Sequence, residues 1–283
     1  GIHAAAIVIS PDTITKFLPI QQKGSNAEIV TQYEMHTVEQ LGLLKMDFLG
    51  LRNLSIVDRT LELIGSESLD IDNLKLDDEK TFKLFAEGKM TGVFQLESRV
   101  AQSTSRSLKP KRFEDIVALV ALIRPGPLGA GMHNEFADRA NNRKEIEYLH
   151  NDLESILNET YGVILYQEQV MQIAEKIAGF NLQEADNLRV AMGKKIPKVM
   201  EEQRKKFTDG AVSNNYSEQF AIELFDQIAY FAGYGFNKSH SVPYALLAYQ
   251  TAYLKANYPA EYIAACLTCL LYTSPSPRDL RAS

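Results

Sequence analysis

The chain is poor in cysteine and has no long hydrophobic run. Only Cys266 and Cys269 occur among its 283 residues, too few for a disulfide framework, which favours a reducing compartment. No apolar stretch reaches the roughly 18 residues of a membrane-spanning helix, and no secretory signal is recognisable. The sequence opens at Gly1 rather than at Met. We therefore expect a piece of a longer protein that works away from membranes.

The sequence also lacks an excess of basic residues. It has 30 Lys and Arg against 36 Asp and Glu, a formal net charge of -6. This balance speaks against a surface that binds nucleic acid everywhere, although a local basic groove remains compatible with it. Hydrophobic residues make up 45% and charged residues 23%, an ordinary globular composition that can bury a sizeable core.

The stretch at residues 43–51, LLKMDFLGL, combines an apolar strand pattern with two charges. With a period of two, Leu44, Met46 and Phe48 lie on one face. Lys45 and Asp47 lie on the other, about 6.6 Å apart along the strand. A carboxylate that can hold a divalent cation beside an ammonium that can hold a phosphate suits phosphoryl transfer. The alternative is a strand whose polar face is simply in water.

The other elements before residue 53 are short. An apolar run over residues 3–9 has no helical period and predicts a buried strand. Residues 20–28 are polar and predict a loop, and residues 29–33 predict a second strand. Three strands without a second layer cannot bury both faces, so we expect them to belong to a larger sheet.

After residue 53 the apolar residues repeat with the period of a helix, so the sequence predicts an α+β fold with a mostly helical second part. Gly65 is expected to end the first helix, and residues 124–127, RPGP, to break another. Pro197 and Pro259 are expected to open helices. The predicted core faces are Val57, Leu61 and Ile64; Ile116, Leu119, Val120 and Ile123; Val170, Ile173, Ala174 and Ile177; Ala221, Leu224, Phe225 and Ile228; and Ala245, Tyr249, Ala252 and Tyr253.

Three patterns suggest other chemistry but lack its spacing. Asp70 and Asp72 lie in an acidic stretch at residues 66–79 without the spacing of a calcium loop, so we interpret it as a solvated connector. Ser239 and His240 are adjacent and show no nucleophile elbow, which argues against a hydrolase. The Cys266-Leu267-Thr268-Cys269 pair lacks the further ligands of a zinc site and a thioredoxin-like surrounding.

Two segments are strongly basic. Residues 189–206 contain seven basic and two acidic residues, a local balance of +5. Within them, Gly193 precedes Lys194 and Lys195 without the pattern of a P-loop; phosphate binding and a basic helix end that favours the helix dipole are equally compatible with this. Residues 99–112 have no acid and suit either a solvated loop or a neutralised phosphate backbone. Their basic residues are Arg99, Arg106, Lys109, Lys111 and Arg112.

Residues 233–241, GYGFNKSHS, form the most unusual run in the chain. Its two glycines leave the backbone open, two aromatic rings could stack on a base, and Lys238, Ser239 and His240 offer hydrogen-bond donors for phosphate or sugar. The alternative is a glycine-rich helix junction with packed aromatic rings.

Several long motifs, in one order, resemble the alpha subunits of bacterial DNA polymerase III, the replicative C-family polymerases. The resemblance covers about residues 3–268 and is specific because many motifs occur together. The matching runs are LGLLKMDFLGLRNLSI (41–56), GVFQLES (92–98), ALVALIRPGPLGAGM (118–132), YGVILYQEQVMQIA (161–174), LRVAMGKK (188–195) and FAGYGFNKSHSVPYALLAYQTAYLKANYPAEY (231–262).

The resemblance implies site residues. Asp47 matches the third of three palm carboxylates that hold two Mg²⁺ ions, and Lys45 matches the palm lysine that faces the triphosphate. The first two carboxylates, in a P-D-x-D motif, are absent from this sequence. Arg189 matches the first of two basic residues that grip the triphosphate, and Val190 stands at the second. The remaining substrate-binding candidates, on the nucleotide side of the fingers, are Arg124, Lys194, Lys195, Lys238 and His240.

The resemblance also implies an organisation and a function. Residues 1–52 would be the end of a nucleotidyltransferase-type palm, 53–80 a connector helix and acidic loop, 81–268 helical fingers, and 269–283 a non-native or disordered tail. The full protein would be a bacterial, cytoplasmic DNA polymerase with template–primer DNA, dNTPs, the sliding clamp and other replicase subunits as partners. We expect the isolated chain to be inactive. The alternative is a helical module that binds nucleotide or DNA without catalysis.

Overall fold

The computed structural model describes residues 6–22, 28–48, 50–65, 69–194, 197–232 and 235–271. The chain divides into two compact units, residues 1–52 and 53–283. The first contains short strands and the second is helical, so the fold is α+β as predicted. None of the helices within the described ranges combines the length and the apolar composition needed to cross a bilayer.

The first unit contains two separate two-stranded antiparallel sheets. The prediction of a continuous polar loop at residues 20–28 is wrong, because the start of this stretch pairs as a strand with the chain that follows. A short helix that the sequence analysis missed begins where Glu34 accepts hydrogen bonds from the amides of His36 and Thr37. The elements are β1 (Ala6–Ile9), β2 (Ile20–Gln22), β3 (Ile29–Thr31), α1 (Met35–Gln40) and β4 (Leu44–Asp47).

One face of the sheet formed by β1 and β4 is apolar and exposed. Its register places Ile7 opposite Met46 and Ile9 opposite Leu44, and these four side chains are all exposed, as is that of Phe48. The prediction of a buried strand at residues 3–9 is therefore wrong for its described part. A small cluster of Leu18, Val38 and Leu43, with Val8, Ile14 and Ile20 beside it, is the apolar core of the unit.

The rest of the chain is a succession of helices, with short 3-10 turns at Asn151–Leu153 and Asn158–Thr160. The helices are α2 (Arg52–Ile64), α3 (Glu79–Ala86), α4 (Arg99–Leu108), α5 (Phe113–Leu122), α6 (Pro125–Gly129), α7 (Met132–Ala140), α8 (Glu154–Leu157), α9 (Gln167–Ala178), α10 (Leu182–Lys194), α11 (Pro197–Ser213), α12 (Glu218–Ala232), α13 (Lys238–Asn257) and α14 (Pro259–Leu271).

The predicted helix boundaries at glycine and proline are confirmed. Gly65, with φ +88°, follows the last residue of α2. α5 ends just before the RPGP run, and Pro197 and Pro259 are the first residues of α11 and α14. α14 continues to Leu271, so it includes the first three residues of the predicted tail, whereas residues 272–283 lie outside the described part.

The described residues of the second unit form two large apolar clusters. One surrounds α5 and α13, and the other lies among α9, α10, α11 and α12. The predicted stripe on α5 is too narrow, because every residue from Asp115 to Leu122 is buried. A helix that is apolar on all sides belongs in the centre of a domain, and the Ser241 hydroxyl of α13 donates to the Val117 carbonyl there at 2.7 Å.

The acidic connector is held more firmly than a solvated loop. The Tyr249 hydroxyl donates to the Lys75 carbonyl at 3.0 Å and accepts from the Asp78 amide at 2.9 Å. The Gln250 side chain donates to the Ile71 carbonyl at 3.1 Å. Side chains of α13 therefore hold the backbone of the connector in place. The acidic composition of the connector did not predict these contacts.

Candidate functional site

Lys45 and Asp47 form an ion pair on one face of β4. The Lys45 Nζ lies 2.7 Å from Oδ1 and 3.0 Å from Oδ2 of Asp47. The Lys45 side chain is 17% exposed and that of Asp47 is 52% exposed. The carboxylate is therefore open to water and to cations, while the lysine is held close to the sheet. An ion pair this exposed contributes at most about 1 kcal/mol, so its partners can be exchanged.

The residues around Asp47 fit only part of a magnesium site. Mg²⁺ prefers octahedral oxygen coordination in which one or two protein carboxylates are completed by water and substrate phosphates. Asp47 can provide one such carboxylate. Within the described ranges, no group of three His, Cys, Asp or Glu side chains is placed to hold a metal ion.

In the second unit, the segment before α9 meets the segment before α13. The Phe236 amide donates to the Leu165 carbonyl at 3.1 Å, and the Gln167 amide donates to the Phe236 carbonyl at 3.0 Å. The Gln167 side chain also donates to the Gly235 carbonyl at 3.2 Å. We call this pairing of residues 165–167 with 235–236 the junction.

Lys238 is fixed beside the junction at the start of α13. Its backbone amide donates to the Glu168 carboxylate at 2.9 and 3.1 Å, and its Nζ donates to Glu159 Oε2 at 2.6 Å. The Asn237 side chain caps α13 by accepting from the His240 amide at 2.8 Å. The cap and the two carboxylates hold the ammonium where the glycine-containing run joins the helix.

Arg189 reaches the same junction from α10. Its Nε donates to Asp186 Oδ1 at 2.8 Å, and its Nη1 approaches Gln167 Oε1 at 3.4 Å. Gln167 therefore connects Arg189 with the backbone of residues 235–236. Sequence reasoning missed Gln167, although it directly follows the apolar run at residues 163–166.

Arg124 and His240 lie against the aromatic ring of the junction. The Arg124 guanidinium is 4.5 Å from the centre of the Phe236 ring, a cation–π distance. The His240 ring stands at 5.5 Å from Phe236 and at 4.3 Å from Tyr244. Four predicted substrate-binding residues, Arg124, Arg189, Lys238 and His240, thus border one junction.

The two remaining candidates on the fingers side, Lys194 and Lys195, lie at the edge of the described residues. Lys194 is the last residue of α10, and its side chain is outside the described part, as is all of Lys195. Gly233 and Tyr234 from the glycine-containing run are also outside it.

A partly buried polar network positions Glu159, the partner of Lys238. The Arg112 guanidinium donates to the Glu159 carbonyl at 2.8 Å and to Asp115 Oδ1 at 3.1 Å. The Tyr161 hydroxyl donates to the same Asp115 oxygen at 2.9 Å. Burial, followed by the Asp115 carboxylate, raises the pKa of Tyr161 to about 12. Arg112, one end of the basic stretch at residues 99–112, is therefore a structural residue.

Two cations of the junction, Lys238 and Arg189, have carboxylate partners. Burial, followed by Glu159 and Glu168, raises the pKa of the Tyr166 hydroxyl, so this ring stays neutral beside Lys238. The ion pair between Lys238 and Glu159 is about one third exposed. Phosphate oxygens can form charge-assisted hydrogen bonds of the same kind as these carboxylates.

Two family models match consecutive parts of the chain. Residues 53–215 match the family described as bacterial DNA polymerase III alpha subunit finger domain. Residues 1–50 match the family described as bacterial DNA polymerase III alpha NTPase domain.

Curated relatives extend the match. DNA polymerase III subunit alpha of Escherichia coli strain K12 is 49% identical over 280 residues, which cover 95% of this chain and 24% of that protein. The protein of the same name from Haemophilus influenzae is 48% identical over 280 residues, with the same coverage. That from Mycobacterium tuberculosis strain H37Rv is 45% identical over 275 residues, or 95% and 23% of the two chains. The chain thus spans about a quarter of the length of these relatives.

Proposed function

The chain belongs to the bacterial DNA polymerase III alpha subunit family, and on this basis we propose that it is part of a DNA-directed DNA polymerase. The full protein would transfer nucleotidyl groups from dNTPs to a primer 3′-hydroxyl during bacterial DNA replication. Residues 1–52 would be the end of the palm, 53–80 the connector and 81–268 the fingers. The cytoplasm would be its compartment, and template–primer DNA, the sliding clamp and other replicase subunits its partners.

The observation that supports this proposal best is the grouping of cations at the junction. Arg189 and Lys238 come from different helices, and Gln167 and the backbone of residues 235–236 connect them. Two cations held in this way can bind a triphosphate at several oxygens at once. Arg124 and His240 border the Phe236 ring, which offers a surface on which a base can stack.

Asp47 and Lys45 would act on the reaction itself. Two Mg²⁺ ions in the complete protein would activate the primer hydroxyl and stabilise the leaving pyrophosphate. Asp47 would supply one carboxylate ligand, and the remaining carboxylates would come from outside this sequence. Lys45 would orient the Asp47 carboxylate and attract a phosphate oxygen. Convergence of Arg189, Lys194 and Lys238 on one cleft with Asp47 remains a prediction.

A second candidate function is nucleotide or DNA binding without catalysis by this chain alone. It is favoured because the cations of the junction lie within the helical unit, whereas Asp47 offers only one carboxylate. Primer extension by the isolated chain should then be undetectable.

Nucleotide binding tests the proposal directly. We expect Arg189→Gln to weaken dNTP binding to this chain about tenfold, which corresponds to roughly 1.4 kcal/mol for one lost charge-assisted hydrogen bond. Arg204→Gln is a matched control: Arg204 also pairs with an aspartate, Asp226, but contacts the Phe225 ring rather than the junction. Calorimetric titration would measure both affinities. Equal losses in the two variants would contradict a nucleotide site at the junction.

A further inference from the structure

We propose that a cavity between α4 and α7 is a binding site for a phosphate group, separate from the junction. The cavity has a volume of about 270 Å³. Arg99, Ser103 and Ser107 of α4 line one side, and His133 and Asn134 of α7 line another. All five side chains can donate hydrogen bonds. None of the described residues that line the cavity is acidic.

The side chains from α4 lie on one face of that helix. Positions 99, 103 and 107 are each four residues apart, a spacing that places them one above the other. Arg99 is exposed at the first position of α4 and has no ion pair within the described part of the chain. Its charge is therefore available to a ligand, unlike that of Arg112, which is bound to Asp115.

The Ser107 hydroxyl can donate its proton to a ligand in the cavity. The Arg143 guanidinium donates to the Ser107 carbonyl at 3.2 Å and to its Oγ at 3.3 Å. Because the hydroxyl oxygen accepts this bond, its proton is directed to another acceptor. Arg143 also adds positive charge close to the cavity, although Asp138 pairs with it at 2.7 Å.

Two polar features of α7 have unmet hydrogen bonding. Nδ1 of His133 is buried and has no hydrogen-bond partner among the described residues, a situation that usually has a specific reason. α7 also begins after Gly131, at φ +71°, without a side chain that caps its first turn. Uncapped amides at a helix start attract anions. His133 is the second residue of this helix, whereas the amide of Asn134, the third, donates to the Gly131 carbonyl at 3.0 Å.

The size of the cavity indicates what it binds. It is smaller than the roughly 300–1,000 Å³ of sites that enclose a drug-sized ligand. It has room for a phosphoryl group with its immediate substituents. Such a group could belong to a DNA phosphodiester or to a nucleotide, and both present the same anionic oxygens. This inference does not depend on the junction or on Asp47.

Titration with inorganic phosphate tests the site. We expect Arg99→Gln to weaken phosphate binding at least fivefold. The NMR signal of the His133 ring, recorded at increasing phosphate concentration, measures the affinity. Arg106→Gln removes the same charge from the same helix; Arg106 contacts the backbone around Gly88 and does not line the cavity. It should change the affinity less than twofold. Equal effects of the two substitutions, or no phosphate-dependent shift of the His133 signal in the wild-type chain, would overturn the site.

The same two variants identify the source of the phosphate. A loss of affinity for a short DNA duplex in Arg99→Gln alone would assign the site to a phosphodiester. A loss of affinity for a dNTP in Arg99→Gln alone would assign the site to the phosphate of a nucleotide. Arg189→Gln, which tests the junction, should leave phosphate binding at Arg99 unchanged, so failure of one site is distinguishable from failure of the other.

Discussion

The two units of this protein differ in how completely they bury their apolar residues. In the first, three buried residues and three half-buried neighbours form the apolar core. The sheet of β1 and β4 exposes four large apolar side chains, and Phe48, directly after β4, exposes a fifth. In the second, two clusters bury most of the helical faces. An exposed apolar patch on this scale is typical of a surface that packs against another part of a protein. Asp47 thus lies in the unit with the weaker core.

The largest expected effect concerns that aspartate. In a full-length version of the protein, Asp47→Asn should lower primer extension at least a hundredfold, because the substitution removes a negative charge that acts on the transition state. Asp12→Asn is the control, since Asp12 is an exposed carboxylate of the same unit that pairs with Lys16. Near-normal extension by Asp47→Asn would show that the first unit contributes only structure.

A core substitution tests how well the second unit is packed. Phe136 is fully buried in the second unit, and Phe136→Ala should reduce the free energy of unfolding by about 3–5 kcal/mol through the cavity it leaves. Denaturant unfolding of the chain, monitored by circular dichroism, would measure this. A loss below about 1 kcal/mol would contradict a well-packed core there.

A substitution that breaks the hydrogen bonds between the acidic connector and α13 should lower the free energy of unfolding by less. Tyr249→Phe leaves the Lys75 carbonyl and the Asp78 amide without their partner, and we expect a loss of about 1–3 kcal/mol. The same unfolding experiment applies. Gln250→Ala, which removes only the bond to the Ile71 carbonyl, should cost less, and the reverse order would contradict the assigned role of Tyr249.

Alkaline pH provides an independent readout of Tyr249. Burial raises its pKa from 10.0 to about 12. Between these values the unfolded chain releases a proton that the folded chain keeps, so stability present below pH 10 is lost as the pH rises toward 12. Tyr249→Phe should make this decline shallower, as measured by unfolding at a series of pH values. An unchanged slope would exclude Tyr249 from the titration.

The smallest effect is expected on the exposed sheet face. Phe48→Ala should change the free energy of unfolding of this chain by no more than about 0.5 kcal/mol, because the side chain is 58% exposed and surface substitutions seldom cost more. A loss comparable to that of Phe136→Ala would show that the face is covered in solution.

Much of the fold follows from local sequence. Gly65, Pro197 and Pro259 mark helix ends because their backbone restrictions act within one turn. Residues 20–22 were misassigned, since a polar strand depends on its partner rather than on its own side chains. The candidate site was predicted partly: Arg189 came from the resemblance and Lys238 already from its glycine-containing run, whereas Gln167 and Glu159 have no signal in their own segments.

By itself, the sequence determined the helix boundaries at Gly65, Pro197 and Pro259, that Lys45 and Asp47 share a strand face, and which family the motifs resemble. Only the tertiary structure decided that the Arg112 guanidinium donates to the Glu159 carbonyl while Arg99 borders a cavity, although both arginines belong to one basic stretch. The physical reason is that backbone preferences act over a few residues, whereas hydrogen-bond partners such as Gly235 and Gln167 meet only after distant segments have packed.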